Sequence, residues 1–331
     1  MWLKFMFFRK ILVLKLRGIG DSIIATPTVS NLKIRCPDAF IGIVVYPQSY
    51  YVFKNNPYIN KIYIYNKGWR NYLKLVKNLR KQKFDLAINL NASFRSALIS
   101  YLSGAPHRIV NNHSGKNYFA NFGSPPPRIR KSVIERDLDC LRVLGIEPKD
   151  KKTRFFLSDR SREQACLFPT NKTVSISPGG SCQAKRWLPE RFGELADRLV
   201  DDGTEVILLC GPDEEGIVKE VTKKMKHRPT IKRPETVKEL GRYIKFSNLV
   251  VGNSSAVVHL ATAVGVKNLT LFGSENPKEW HPYTEKDKSY MIAKAVDCRG
   301  EGCGKLFCED HRCMKLIEVD EVYKKVKRIL K

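Results

Sequence analysis

Ile11-Leu12-Val13-Leu14-Lys15-Leu16-Arg17-Gly18-Ile19-Gly20-Asp21-Ser22-Ile23-Ile24-Ala25-Thr26-Pro27-Thr28 is the stretch from which the fold of this 331-residue chain is read. The apolar run from Ile11 to Leu16 predicts a buried strand, Gly18 and Gly20 a tight turn, and residues 22–34 a helix. Strand, glycine turn and helix in that order open a βαβ unit, and such turns lie at the carboxyl ends of strands, where α/β proteins bind ligands. Asp21 therefore stands at the rim of a candidate active site. A dinucleotide fingerprint would need a third glycine at position 23, which is Ile23, so that reading fails. Glycines before a helix still admit a ligand close to the backbone, and the helix start favours negative charge. The alternative for Asp21 is that it only caps the helix.

Working outward, strands are expected over 40–45, 62–65 and 84–90, and helices over 69–81 and 93–101. This alternation argues for a parallel sheet covered on both faces. Residues 111–130, rich in Asn, Gly, Ser and Pro, read as a long, partly mobile loop, and a helix over 131–144 leads into a linker at 145–152. The first domain is expected to span 1–150 and the second 151–331. A second series follows, with strands over 173–177, 205–210, 248–251 and 268–272, helices over 189–202 and 257–264, and a closing helix over 319–330. A glycine turn opens each half, which suggests two similar α/β domains facing one another across a cleft.

Charge is extreme and uneven. The net charge is +26, and residues 1–134 hold 22 Lys and Arg against three acids, Asp21, Asp38 and Asp85. Such a surface attracts nucleic acid, an anionic membrane face or a phosphorylated substrate. No stretch reaches the length of a membrane span. The early cluster Met1-Trp2-Leu3-Lys4-Phe5-Met6-Phe7-Phe8 lacks a cleavage site. The chain reads as cytoplasmic, with Trp2, Phe5, Phe7 and Phe8 either a surface anchor or packed beside the first strand.

Three further stretches carry chemistry. Pro178-Gly179-Gly180-Ser181 with Lys185-Arg186-Trp187 sets backbone amides and two cations after a strand, as a diphosphate requires, or else forms a solvated basic loop. Asn253-Ser254-Ser255-Ala256-Val257-Val258-His259 repeats the logic at a helix start, with His259 either a ligand contact or a core histidine. Gly211-Pro212-Asp213-Glu214-Glu215 puts acids where a carboxylate could accept from ribose hydroxyls or cap a helix.

Residues 11–21 with Ala25-Thr26-Pro27, Pro178-Gly179-Gly180 with residues 185–192, and Gly252-Asn253-Ser254-Ser255 with His259-Leu260-Ala261-Thr262-Ala263 together resemble the ADP-heptose:lipopolysaccharide heptosyltransferase family. The resemblance spans nearly the whole chain in the right order. It implies a GT-B glycosyltransferase fold of two Rossmann-like domains and an inverting transferase without a metal or other cofactor. The amino-terminal domain would hold a lipid A and inner-core glycolipid acceptor, and the carboxyl-terminal domain ADP-heptose. By this resemblance Asp21 and Lys185 are catalytic. Gly18, Gly20, Ser22, Gly179, Gly180, Ser181, Arg186, Asp213, Glu214, Ser254, Ser255, Ala256, Val257 and His259 line the substrates. The protein would work peripherally at the anionic cytoplasmic face of the inner membrane. Family members commonly carry Asp and Gly where this chain has Ser254 and Ala256, and Ala restricts the backbone more than Gly. Another nucleotide-sugar transferase or epimerase is the nearest alternative. A binding protein for RNA or another anionic polymer is the rival from a different class, although no RNA-module aromatic motif is present.

Cys298, Cys303, Cys308 and Cys313 recur every five residues, with His311 nearby. Zinc sites usually pair cysteines roughly two to four residues apart, and no such pair occurs. Disulfides are disfavoured in the cytosol. The run reads as a packed cysteine-rich loop, with metal binding as its alternative.

Overall fold

The structure, a computed structural model, describes residues 8–126, 130–157, 172–284, 288–298 and 303–331. The chain divides into two compact units, Met1–Phe156 and Leu157–Lys331. In the first, β1 (Lys10–Lys15) is followed by α1 (Ile19–Ile24), α2 (Thr26–Arg35), β2 (Phe40–Val45), α3 (Tyr50–Phe53) and β3 (Lys61–Ile64). Then come α4 (Trp69–Gln82), β4 (Leu86–Asn89), α5 (Phe94–Leu102), β5 (His107–Val110), β6 (Phe122–Gly123) and α6 (Val133–Val143). The sheet order is β3-β2-β1-β4-β5-β6, and every pairing is parallel. A central strand covered on both faces must be apolar along its length; accordingly Ile11, Leu12, Val13 and Leu14 are all fully buried.

The second unit contains β7 (Thr173–Ser177), α7 (Pro189–Asp201), β8 (Glu205–Leu209), α8 (Glu215–Thr222), β9 (Thr230–Lys232) and α9 (Val237–Lys245). It continues with β10 (Leu249–Asn253), α10 (Ala256–Ala263), β11 (Lys267–Phe272), α11 (Pro277–Trp280), β12 (Ser289–Ala293), α12 (Arg312–Lys315) and α13 (Val319–Leu330). Its sheet runs β12-β11-β10-β7-β8-β9, again all parallel. Numbered within its own unit, each sheet has the doubly wound order 3-2-1-4-5-6, whose ligand crevice opens where the order reverses. That point lies between β1 and β4 in one unit and between β7 and β10 in the other. In the second core Trp187 and Phe192 meet edge to face at 4.9 Å, and the Trp187 indole N–H donates to Ile317 O at 2.9 Å.

Several expectations are corrected. The single helix expected over 22–34 is two, and it starts earlier, at Ile19. Pro27, in the first turn of α2, has no N–H for the Ile23 carbonyl, which instead accepts the Thr26 hydroxyl at 2.7 Å. The expected mobile loop after Asn111 contains β6, and Asn112 N donates to Ser124 Oγ at 3.0 Å; residues 127–129 lie outside the described residues. The expected linker is tied to α2: Asn31 Nδ2 donates to Asp150 O at 2.6 Å and Arg154 N to Thr26 Oγ1 at 3.0 Å. The first unit accordingly runs on past 150, to Phe156. Of the early aromatic cluster, Phe8 is buried and packs edge-on against His107 at 5.6 Å, while Trp2, Phe5 and Phe7 lie outside the described residues.

Candidate active site

At the first switch point the chain leaves β1 through Arg17 and Gly18 and enters α1 directly, so Gly20 and Asp21 lie within the first helical turn. Neither Gly18 nor Gly20 has a positive φ, so the expected tight glycine turn does not form. No side chain caps α1, which removes the capping reading of Asp21. Its Oδ2 is 3.9 Å from where a Cβ on Gly18 would stand. Among the described residues no hydrogen bond or ion pair engages this half-buried carboxylate. A carboxylate with no internal partner keeps its lone pairs open, and it can receive a proton from a hydroxyl bound within hydrogen-bond reach. Ser22, expected to touch substrate, is instead fully buried, its hydroxyl hydrogen-bonded to Gly18 O at 3.0 Å and to Ser49 Oγ at 2.8 Å.

Two residues missed in the sequence build this rim. Asn91, just past β4, accepts from Leu16 N at 2.9 Å and donates to Leu16 O at 2.6 Å, locking the exit of β4 to that of β1. Lys15, the one charge in the run from Ile11 to Leu16, is 2% exposed and paired at 2.6 Å with Asp137 of α6, which is 1% exposed and also accepts from Asn111 at 3.0 Å. Burial pushes the Asp137 carboxyl above its ordinary value, against the pull of Lys15 and Asn111, and the nearby Asp21 charge adds to the push.

The second switch point is clamped by Asn253, the last residue of β10. Its amide donates to Pro178 O and Gly179 O, each at 2.9 Å, and its oxygen accepts from Trp187 N at 2.8 Å. The exits of β10 and β7 and the approach to α7 thereby converge. The Glu214 carboxylate occupies the space that a Cβ on Gly179 would take, and it accepts from Gly211 N at 2.9 Å. That bond, rather than a cap on α8, is what Glu214 makes, leaving its carboxylate beside Gly179. Asp213 is an exposed turn residue in the left-handed region at φ 65°.

Ser255 stands before α10 without capping it, and its hydroxyl is buried with no partner, as is that of Ser274. A buried unsatisfied hydroxyl at the amino end of an eight-residue helix can donate to an anionic ligand. Ala256 and Val257 form the half-buried first turn. Lys185 and Ser254 both reach Glu275, at 2.5 Å each. Arg186, expected at the phosphates, turns its guanidinium onto Gly180 O at 2.7 and 2.9 Å and so shapes the loop, while Ser181 is exposed at its tip. His259, expected at the ligand, is 6% exposed, which favours the core reading.

The cysteines do not converge. Cys298 is exposed, Cys303 and Cys308 are half-buried, Cys313 is in the core, and among the described residues no three potential ligands are placed to hold a metal. The loop instead braces the Lys185 segment: Ala184 N donates to Leu306 O at 3.1 Å and Cys308 N to Gln183 Oε1 at 3.0 Å.

Residues 72–305 match Glycosyltransferase family 9 (heptosyltransferase). The chain belongs to that family. Lipopolysaccharide heptosyltransferase 3 of Escherichia coli K12 is 30% identical over 289 residues, covering 82% of this chain and 84% of that protein. A family 9 glycosyl transferase of Veillonella parvula has the same fold at a TM-score of 0.84 and 21% identity, over 97% of both chains. The E. coli ADP-heptose lps heptosyltransferase II aligns at 0.81 and 21%, over 97% and 98%. The two doubly wound units are thus the Rossmann-like halves of a GT-B fold, and this family 9 member is a glycosyltransferase.

Proposed function

We propose that this glycosyltransferase moves heptose from ADP-heptose to a hydroxyl of the lipopolysaccharide inner core, with inversion at the anomeric carbon. The carrying observation is the pair of prepared switch points, with an unengaged carboxylate at one and Lys185 with the open Ser255 hydroxyl at the other. Asp21 takes the proton of the acceptor hydroxyl as its oxygen bonds to the anomeric carbon. The carbon–oxygen bond to the distal phosphate breaks on the opposite face, and ADP departs. Lys185, the free amides opening α10 and Ser255 Oγ stabilise the charge gathering on the diphosphate, and Glu214 accepts from ribose hydroxyls.

The acceptor end has an amphiphilic rim. Phe94, Tyr101, Tyr118 and Phe119 are 57%, 50%, 44% and 41% exposed, with ring centroids 5.2 to 5.8 Å apart in successive pairs. Arg108 lies 5.4 Å over Tyr101, and Phe94 opens α5 just after Asn91. Aromatic rings among cations suit the headgroup level of an anionic bilayer carrying a glycolipid acceptor. Among the described residues no helix is long and apolar enough to cross a membrane.

Asp21→Asn tests the base. Heptose transfer is expected to fall about a hundredfold or more, while affinity for ADP-heptose, measured by calorimetry, stays within about twofold because Asp21 lies in the other unit. Transfer at the wild-type rate would refute the assignment.

A further inference from the structure

Glu275 belongs to none of the stretches that pointed to the donor site, yet it touches two of its members. One carboxylate oxygen pairs with Lys185 Nζ at 2.5 Å and the other accepts from Ser254 Oγ at 2.5 Å, with the Lys185 and Glu275 side chains only 20% and 12% exposed. The backbone holds the acid there. Gly273, just after β11, lies so close to the Lys185 segment that a Cβ would be 2.5 Å from Ala184 O and 3.3 Å from Lys185 Cα. Ser274 N donates to Ala184 O, and Gly304 N to Ser274 O, both at 3.3 Å. The loop is anchored on both sides of the contact.

A carboxylate offers about four acceptor positions, and two here are filled; an ammonium has three donors, of which Glu275 uses one. Lys185 can therefore serve a phosphate without releasing Glu275. The cost is a negative charge kept beside an anion site, and that cost depends on the ligand. A bare nucleoside diphosphate brings a terminal phosphate with its full charge. In a nucleotide sugar that phosphate is esterified, and a sugar hydroxyl next to the linkage can donate to an open position on the carboxylate.

We propose that Glu275 is the residue by which this site selects a nucleotide sugar over the spent nucleoside diphosphate, accepting a hydrogen bond from the transferred sugar and repelling the product's terminal phosphate. This rests on the donor reading of the second unit given above. Glu275 thereby favours loading of the donor and release of the product.

Calorimetric titration of ADP and ADP-heptose into wild type and Glu275→Gln tests it. Gln keeps the shape and an acceptor for Ser254 but removes the charge. The ratio of Kd for ADP to Kd for ADP-heptose is expected to fall about tenfold or more, with ADP itself binding more tightly. An unchanged ratio overturns the proposal, as does equal weakening of both ligands, which would make Glu275 merely a support for Lys185. If the Gln variant melts early without ligand, Ser254→Ala, which untethers the carboxylate, is expected to lower the same ratio, and no change there overturns it too. Wild-type protein binding neither ligand would overturn the donor reading itself, and this assignment with it.

Discussion

Lys15 shows what a single charge in a buried strand demands. Every other residue from Ile11 to Leu16 is apolar, and the ammonium is kept only because α6 delivers Asp137 at 2.6 Å and Asn111 fills that carboxylate's other oxygen. Removing one partner strands the other in low dielectric, while replacing both with apolar groups need not. Lys15→Met is therefore expected to cost about 3 to 5 kcal/mol, and Lys15→Met with Asp137→Leu to recover most of it. Hydrogen exchange of the β1 amides reads the effect locally, without assuming that the two units unfold together. Equal loss in the single and double variants would show that the pair does not carry this stability. Nothing in the neighbouring sequence marks the pair, since its members stand 122 residues apart. The same holds for Lys185 with Glu275. Asp21 and Lys185 were legible because each sits in a local strand-to-turn pattern; Glu275, the partner of Lys185, belongs to a distant element, and only the fold joins the two.

Among elements, the central strands and their following helices were legible because burial on both faces writes an unbroken apolar run. β2, β7 and α13 fall at the boundaries their patterns predict. Of the missed strands β5, β6, β9 and β12, all but β5 lie at a sheet edge: β9, Thr230-Ile231-Lys232, is partly exposed and carries a lysine where an inner strand would carry an aliphatic residue. α9 did have a signal, since Thr236 accepts from Glu239 N in an N-cap and Val237, Leu240 and Ile244 share a helical face. β12, the opposite edge, also went unread. Its Ser289 hydroxyl lies 3.2 Å from His281 Nε2, and the His281 ring packs 6.2 Å from Phe272. Burial lowers the pKa of His281 from 6.5, and that of His311 beside the cysteine loop likewise. The unfolded chain therefore takes up protons that the folded unit refuses. Stability is full above about 6.5 and falls as pH drops from there toward the folded values, each histidine contributing about 1.4 kcal/mol per unit between its two pKa values. The melting temperature of the carboxyl-terminal unit is expected to decline on mild acidification, and His281→Gln with His311→Asn to flatten that decline. An equally steep decline in the double variant would assign it to other groups.

For the molecule as a whole, the unequal charge is the feature that composition exposed and that the fold assigns to one unit. The basic residues of the first 134 positions belong to the unit that carries Asp21 and the aromatic rim, so the proposed membrane attraction and the proposed acceptor contact fall in the same unit. Field and rings act at different ranges. On the proposed membrane reading, lysines and arginines act on anionic lipid over about a Debye length and are screened by salt, whereas rings act on contact and are not. Two measurements separate them. Co-sedimentation with phosphatidylglycerol vesicles is expected to be strong at low salt and to weaken steeply as salt rises, with little binding to neutral phosphatidylcholine. Phe94→Ser with Tyr118→Ser, both exposed in the folded unit, is expected to lower vesicle affinity about tenfold at fixed salt, while leaving the salt slope and the affinity for ADP-heptose unchanged. Had the field served nucleic acid instead, a homopolymer RNA would displace the protein from vesicles and the serine variant would bind them as well as wild type. Binding indifferent to lipid charge would leave the basic surface without a membrane role, whereas the expected pattern ties the unit that holds the base to the surface that holds the acceptor.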